Sequence, residues 1–326
     1  VFPISLDALL GRTLNGRYQV QRKIGEGGFG AVFEGIQVAT GRLVALKILL
    51  PHSMTDTTIV ARFRREAEAC SKLRNPHTVV IYDFDQTEDG VLYLAMELVQ
   101  GINLQEFQRS QRTLSPTRGL RVISQVAEAL GEAHALGIVH RDMKPENIMV
   151  EERDGEDYVK VLDFGIAKII SGDSMREAPV LTAIGQTVGT LEFMSPEQLR
   201  GKPLDGRSDI YALGMVAYEL LTGELPFKDA KSPMEVIRFH LHAPPPAPSA
   251  IRFDAGINLV VDDLIQKMVA KRPDDRHANA EELCEHIEVA LKSLEPSLWG
   301  REIKRVGIIL GLIALTVATA IFFWRR

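Results

Sequence analysis

His140-Arg141-Asp142-Met143-Lys144-Pro145-Glu146-Asn147 is the stretch on which the reading of this chain turns. Downstream stand Asp163-Phe164-Gly165 and then Ser195-Pro196-Glu197. Upstream, Gly25-Glu26-Gly27-Gly28-Phe29-Gly30 gives G-x-G-x-x-G, a weak signal when it stands alone. A dinucleotide-binding fold would run that loop into a helix. Here Ala31–Gly35 favours a strand, so the loop joins two strands. Its glycines let backbone N–H groups approach phosphates closely. Lys47 follows inside the apolar run Leu43–Leu49, where an ammonium needs an anion because an unpaired buried charge is costly. Glu66 poses the mirror problem, on the apolar face of a predicted helix with Phe63 and Cys70. The simplest solution pairs Lys47 with Glu66 while Lys47 also holds phosphates.

The periodicity around these motifs changes once. Tyr18 to about Leu50 reads as strands, and Thr57–Arg74 as a helix with Phe63, Ala67, Cys70 and Leu73 on one face. Val79–Phe84 and Val91–Leu98 read as strands around the polar turn Gln86–Gly90. After Gly101 helices dominate. Thr117–Leu136 is amphipathic and stops at Gly137, whereas Ser208–Leu221 is apolar on nearly every side and belongs in a domain centre. His242–Ser249 is a proline-rich connector, and the close pair His240 and His242 reads as an exposed helix end.

Five elements in this order resemble a protein kinase, specifically the eukaryotic-like (Hanks-type) serine/threonine kinases of bacteria. The resemblance covers about Tyr18 to Leu291. It implies an α+β bilobal fold, with a small β-rich lobe over about residues 18–99 and a larger helical lobe over 100–293. It implies ATP and Mg²⁺ as cofactors, and proteins carrying Ser or Thr as substrates. Asp142 would accept the substrate hydroxyl proton, and Lys144 would neutralise the transferred phosphoryl group. Asn147 and Asp163 would be the metal ligands. By the same resemblance Ile24, Gly25, Gly27, Gly30 and Lys47 line the phosphate side, with Glu66 as the partner of Lys47. Val32, Ala45 and Met149 would sandwich adenine. The Glu97 carbonyl and Val99 N–H would bind its edge, with Met96 behind it. Glu197 should pair with Arg276, Asp209 should brace the catalytic loop, and His140 and Phe164 should stack with Cys70. Ser195 replaces the family's usual Ala. Arg141 would bind a phosphate on the segment 163–197, with Thr182 and Thr187 the favoured acceptors, and Thr190 would help align Asp142 and Lys144. A scaffold without catalysis predicts loss of Lys47, Asp142, Asn147 or Asp163, and all four are present.

Composition separates the two ends. The net charge is −5, but residues 299–326 carry +4 from Arg301, Lys304, Arg305, Arg325 and Arg326 against Glu302, leaving −9 elsewhere. Such a balance argues against a nucleic-acid partner held by overall positive charge. Val306–Trp324 is 19 residues without a charge, and basic residues flank it. At about 1.5 Å per residue it reaches across a bilayer's hydrocarbon core, so a transmembrane helix is expected at 306–324 after a juxtamembrane link at 294–305. Gly307, Gly311, Ala314 and Ala318 form a small-residue stripe that suits a homodimer. ATP use would put the kinase domain on the cytoplasmic side of the plasma (inner) membrane. Val1–Leu10 has no signal-peptide pattern, and residues 1–17 form a separate N-terminal segment. The only cysteines, Cys70 and Cys284, lack metal spacing.

Overall fold

A computed structural model describes residues 6–27, 30–49, 57–111, 114–164 and 188–295. The expected transmembrane span 306–324, together with Thr182 and Thr187, lies outside these residues. Among the described residues no helix is long and apolar enough to cross a membrane.

The small lobe is one antiparallel sheet. Its strands are β1 (Thr13–Leu14), β2 (Tyr18–Gly27), β3 (Gly30–Gln37), β4 (Arg42–Leu49), β5 (Ile81–Gln86) and β6 (Leu92–Glu97), in spatial order β1-β2-β3-β4-β6-β5. As the strand propensity of Ala31–Gly35 requires, β2 and β3 pair as a hairpin around the glycine-rich loop. At Gly30 no side chain could fit, because a Cβ would lie 2.0 Å from the Ile48 carbonyl oxygen. Strand β4 is buried on both faces, which explains its unbroken apolar run. Val44, Leu46 and Ile48 meet the outer cluster of Leu9, Leu14 and Phe33. Ala45 and Leu49 face the inner cluster with Leu94, Met96 and helix α1 (Thr57–Cys70). The sheet thus recruits β1 and a 3-10 turn at Leu6–Leu9 from upstream of Tyr18. Arg12 bonds Asp89 at 2.6 and 2.7 Å, and Arg17 bonds Asp83 and Asp85, which fastens that segment to the far edge.

The large lobe begins with a three-stranded sheet β7 (Ile102–Asn103), β8 (Ile148–Arg153) and β9 (Glu156–Val161). Its helices are α2 (Leu104–Ser110), α3 (Pro116–Ala135), α4 (Pro196–Leu199), α5 (Gly206–Thr222), α6 (Pro233–His242), α7 (Pro248–Ile251), α8 (Leu259–Met268) and α9 (Ala280–Leu294). Helix α5 is the apolar helix anticipated from its sequence, and it is buried almost throughout. Helix α3 packs against both α5 and α9 and ends before Gly137, which takes a left-handed φ of +73°. β5 starts at Ile81, later than its apolar pattern suggests. Val79 N–H instead donates to the Val161 carbonyl at 3.0 Å, which ties the small lobe to β9.

His240 does not sit at an exposed helix end as the spacing with His242 suggested. It is fully buried, with Nδ1 2.8 Å from the Tyr211 hydroxyl and with Phe227 and Phe239 packed around its ring. The reason is that α6 packs against the 3-10 turn Val188–Phe193 and against α4, and its last turn brings His240 onto Tyr211. Burial, and then the charge of Lys271, push its pKa down to about 3, so it is neutral at neutral pH.

Candidate active site

The catalytic-loop candidates lie between α3 and β8, where the chain crosses the face of α5. Asp209, in the first turn of α5 and 1% exposed, fixes the loop backbone. Its Oδ2 accepts the His140 N–H at 2.7 Å and its Oδ1 accepts the Arg141 N–H at 2.9 Å. His134 Nε2 is 2.8 Å from the same carboxylate. Gly206 makes room for that imidazole, since a Cβ would meet it at 2.5 Å. Arg141 is held at φ +65°, a region L-residues seldom occupy. Its other peptide face is held as well: Gln198 Nε2 donates to the Arg141 carbonyl at 2.8 Å. The strained residue therefore presents the next one, Asp142, from two fixed points.

Around Asp142 the polar groups converge. Lys144 Nζ is 2.9 Å from Asp142 Oδ2. Asn147 Nδ2 donates to the Asp142 backbone carbonyl at 2.7 Å and approaches its Oδ2 at 3.3 Å. The Leu162 N–H donates to the Asn147 carbonyl at 2.8 Å, so the chain leaving β9 reaches Asp163 from a point fixed on Asn147. Asp163 also has a left-handed backbone, at φ +56°.

Lys47 departs from expectation. Its ammonium, on a residue 8% exposed, pairs with Asp163 Oδ2 at 2.8 Å, and no ion pair joins it to Glu66. The anion that a buried ammonium demands is present, but it comes from the Asp163-Phe164-Gly165 segment. Glu66 is half-buried on α1, one turn from Cys70. The residues beneath are as the resemblance implied. The rings of His140 and Phe164 meet edge to face at 4.9 Å, and Cys70 Sγ lies 3.5 Å from the Phe164 carbonyl. Burial, with the nearby carboxylates of Glu66 and Asp163, pushes the Cys70 thiol up to about 12. A cavity of about 10 Å³ behind Met96 is lined in part by Cys70, Leu94, Asp163 and Phe164.

The other nucleotide-side candidates distribute along the small lobe and its border. Val32 is the register partner of Lys47, and Ala45 lies two residues before it, so all three share one face of the sheet. Ile24 is exposed on β2, where Gly25 pairs with Val32 and Gly27 with Gly30. Glu97 closes β6, Val99 follows in the link to the large lobe, and Met149 sits on β8 across from Asn103. For Thr190 only the backbone is described, in a 3-10 turn over Val188–Phe193.

The residues fit a divalent cation and a nucleotide. Asp163 Oδ1 is buried without a hydrogen-bond partner, while its Oδ2 is taken by Lys47. Asn147 spends its amide donor on Asp142 and keeps a carbonyl oxygen as its remaining function. Among the described residues no three carboxylate, His or Cys side chains cluster to cage a metal. Two oxygen donors plus phosphate oxygens are what Mg²⁺ takes in phosphoryl-transfer sites.

Away from the reacting groups, Arg276 meets Glu197 in a two-pronged pair at 2.7 and 2.9 Å, as the resemblance implied. Burial alone would raise the Glu197 carboxyl; the hydrogen bonds and charge of Arg276 override it and hold it below the ordinary range. Two residues escaped the sequence reading. Gln198 forms a reciprocal cap with Ser195 at the start of α4 as well as its bond to Arg141, and the spacing Ser-x-x-Gln was the available signal. Lys160, 6% exposed on β9, bonds the Glu97 carboxylate at 2.8 Å and the Thr78 carbonyl at 3.2 Å. Nothing in local sequence could have marked that contact.

A fold of two lobes with these groups at their junction defines a protein kinase, and the sequence matches the protein kinase domain family over residues 18–287. The chain belongs to that family, in its bacterial Hanks-type serine/threonine branch. It is 47% identical to serine/threonine-protein kinase pkn3 of Myxococcus xanthus over 276 residues, which is 84% of this chain and 50% of that protein. It is 38% identical to serine/threonine-protein kinase PrkC of Bacillus subtilis, over 86% of this chain and 42% of that protein. Among solved structures the Mycobacterium tuberculosis PknI kinase domain superposes with a TM-score of 0.64 at 27% identity, covering 86% of this chain and 98% of that one. The chain spans about half the length of the curated relatives it matches.

Proposed function

We propose that this chain transfers the terminal phosphoryl group of ATP to serine and threonine hydroxyls of proteins, its own activation segment among them, from a position tethered to the plasma membrane. The observation that carries the reading is Lys144 and Asn147 converging on Asp142, with the Asn147 carbonyl holding the Leu162 N–H just before Asp163 and Lys47 paired to Asp163. Asp142 orients the substrate hydroxyl and accepts its proton; in-line placement matters more here than base strength. Lys144, 2.9 Å from that carboxylate, offers its charge to the phosphoryl oxygens as they approach. Asn147 and Asp163 would hold Mg²⁺, which would supply positive charge to neutralise the phosphates. Lys47 holds phosphate oxygens beside Asp163, and the glycine-rich hairpin covers them with backbone N–H groups. Val32, Ala45 and Met149 enclose the adenine, and the Glu97–Val99 link reads its edge.

Regulation follows from Arg141. Its cationic side chain belongs to a residue fixed beside Asp142, and a phosphate on Thr182 or Thr187 would form charge-assisted hydrogen bonds with it. The tether is supported by the 19 uncharged residues 306–324 with basic flanks. Incubation with labelled ATP and Mg²⁺, followed by mass spectrometry, tests the proposal. Phosphate on protein Ser or Thr is expected, with Thr182 and Thr187 among the sites. Unchanged activity in Thr182→Ala/Thr187→Ala would remove the regulatory reading, and complete release of the chain by alkaline carbonate would remove the tether.

A further inference from the structure

The two most exposed large apolar side chains of the described residues are Phe253 at 88% and Leu259 at 82%. They belong to one small feature of the large lobe. Phe253 opens the turn between α7 and α8, and Leu259 is the first residue of α8. The feature is rigidly seated. Arg252 donates to the Leu114 and Leu221 carbonyls at 3.0 and 2.8 Å, which anchors the turn to the lobe from behind. Asn258 caps α8 through its Oδ1 and donates through Nδ2 to the Ser293 carbonyl and hydroxyl at 3.2 and 2.9 Å. Ser293 is the second-last residue of α9, and Val289, 55% exposed, lies one turn before it. The exposed apolar side chains therefore gather where α9 delivers the chain into residues 296–305 and then into the uncharged stretch 306–324.

We infer that Phe253, Leu259 and Val289 form a bilayer-contacting patch that seats the large lobe on the membrane surface beside its own tether. The inference rests on the proposal that residues 306–324 span the bilayer. Three facts favour lipid over other occupants. The ten residues between the described domain and the apolar stretch reach at most about 35 Å fully extended, so the patch stays close to the membrane. That tether supplies an effective concentration in the mM range, so a weak contact is populated. And three side chains offer a few hundred Å², well short of the roughly 800 Å² per partner of a stable protein interface. Asp254, exposed within the same turn, limits the contact to the headgroup level.

The test uses the full chain, as a Cys284→Ser variant, in nanodiscs of phosphatidylcholine and phosphatidylglycerol. A fluorophore is attached at Phe253→Cys, Leu259→Cys or, as a control on the small lobe, Val38→Cys. Interfacial side chains sit about 5–10 Å into the headgroup region, so lipids carrying a shallow nitroxide should quench the labels at 253 and 259 by about half. The label at 38 should be untouched. A Phe253→Asp/Leu259→Asp chain labelled at Val289→Cys should lose its quenching while remaining in the bilayer. Absence of quenching at 253 and 259 in a chain that resists carbonate extraction would overturn the patch and leave the span standing. A chain that carbonate extracts would overturn the span, and the patch with it. Shielding of the labels without nitroxide quenching, lost on diluting protein into lipid, would assign the patch to a second copy instead.

Discussion

Removing the Asp209 carboxylate is the most informative perturbation of the scaffold beneath the reacting groups. In Asp209→Ala the His140 and Arg141 N–H groups lose their acceptors, and the His134 imidazole loses its partner. Each buried donor left unpaired costs about 1–3 kcal/mol, so the variant should be destabilised by roughly 2–6 kcal/mol. A cost of that size is a large share of the roughly 5–15 kcal/mol that holds a domain folded. Asp209→Asn keeps one acceptor oxygen and turns an amide donor toward the other N–H, so it should lose about half as much. The functional consequence is separable. Arg141 at φ +65° is held against its own preference by Asp209 and Gln198. With one hold gone the backbone before Asp142 relaxes, and in-line placement suffers. kcat should fall about 100-fold or more, while KM for ATP moves only a few-fold, because no nucleotide-side residue is touched. Urea unfolding of residues 1–295 gives the first quantity, and steady-state kinetics at a temperature where the variant is folded gives the second. An Asp209→Ala enzyme with kcat within about twofold of the parent would refute the reasoning that this carboxylate positions Asp142.

Glu197→Ala should cost about 3–5 kcal/mol, because it strands the Arg276 guanidinium, whose side chain has no exposure. Glu197→Ala/Arg276→Met should be more stable than Glu197→Ala alone, and a purely additive pair in denaturant titrations would contradict this. Gln198→Ala removes both the reciprocal cap of α4 and the bond to Arg141. It should cost about 1–2 kcal/mol and lower kcat several-fold, whereas unchanged kinetics would cut the proposed link. Burial, then the Glu192 and Glu146 carboxylates, push Glu219 up to about 7 from 4.5. A carboxyl with a raised folded pKa contributes stability below the unfolded value, and that contribution is lost as pH climbs through the folded one. Glu219→Gln should therefore gain roughly 1–2 kcal/mol near pH 8, after discounting for screening, and almost nothing near pH 4. An equal gain at both pH values would count against charge as the cause.

Much of this site was legible because phosphoryl transfer demands fixed residue types at fixed separations. Asp142, Lys144 and Asn147 stand within one short loop, and local spacing alone brings them together. Glu197–Arg276 and Asp209 with the catalytic loop were legible only through the family resemblance. The rule that a buried charge must find a partner gave the wrong partner for Lys47. It demanded an anion, and both Glu66 and Asp163 satisfied the demand. Which one approaches depends on how α1 sits against the sheet, and helix periodicity does not encode that position. His240 failed on similar grounds. Its place near a helix end suggested exposure, but the end folds under Phe227 and Phe239, a tertiary contact without a local signature. Lys160 on Glu97 belongs with it, since 63 residues separate the two.

The central claim is that Asp142, Lys144, Asn147 and Asp163 form a working phosphoryl-transfer site acting on protein hydroxyls. It is tested most directly by the rate at which label passes from ATP, with Mg²⁺, to protein Ser and Thr in the parent chain and in Asp142→Asn. The account predicts transfer by the parent and a rate lower by about 100-fold or more in an Asp142→Asn chain that remains folded and still binds ATP. Equal rates from the two proteins, or no transfer by the parent, would contradict it.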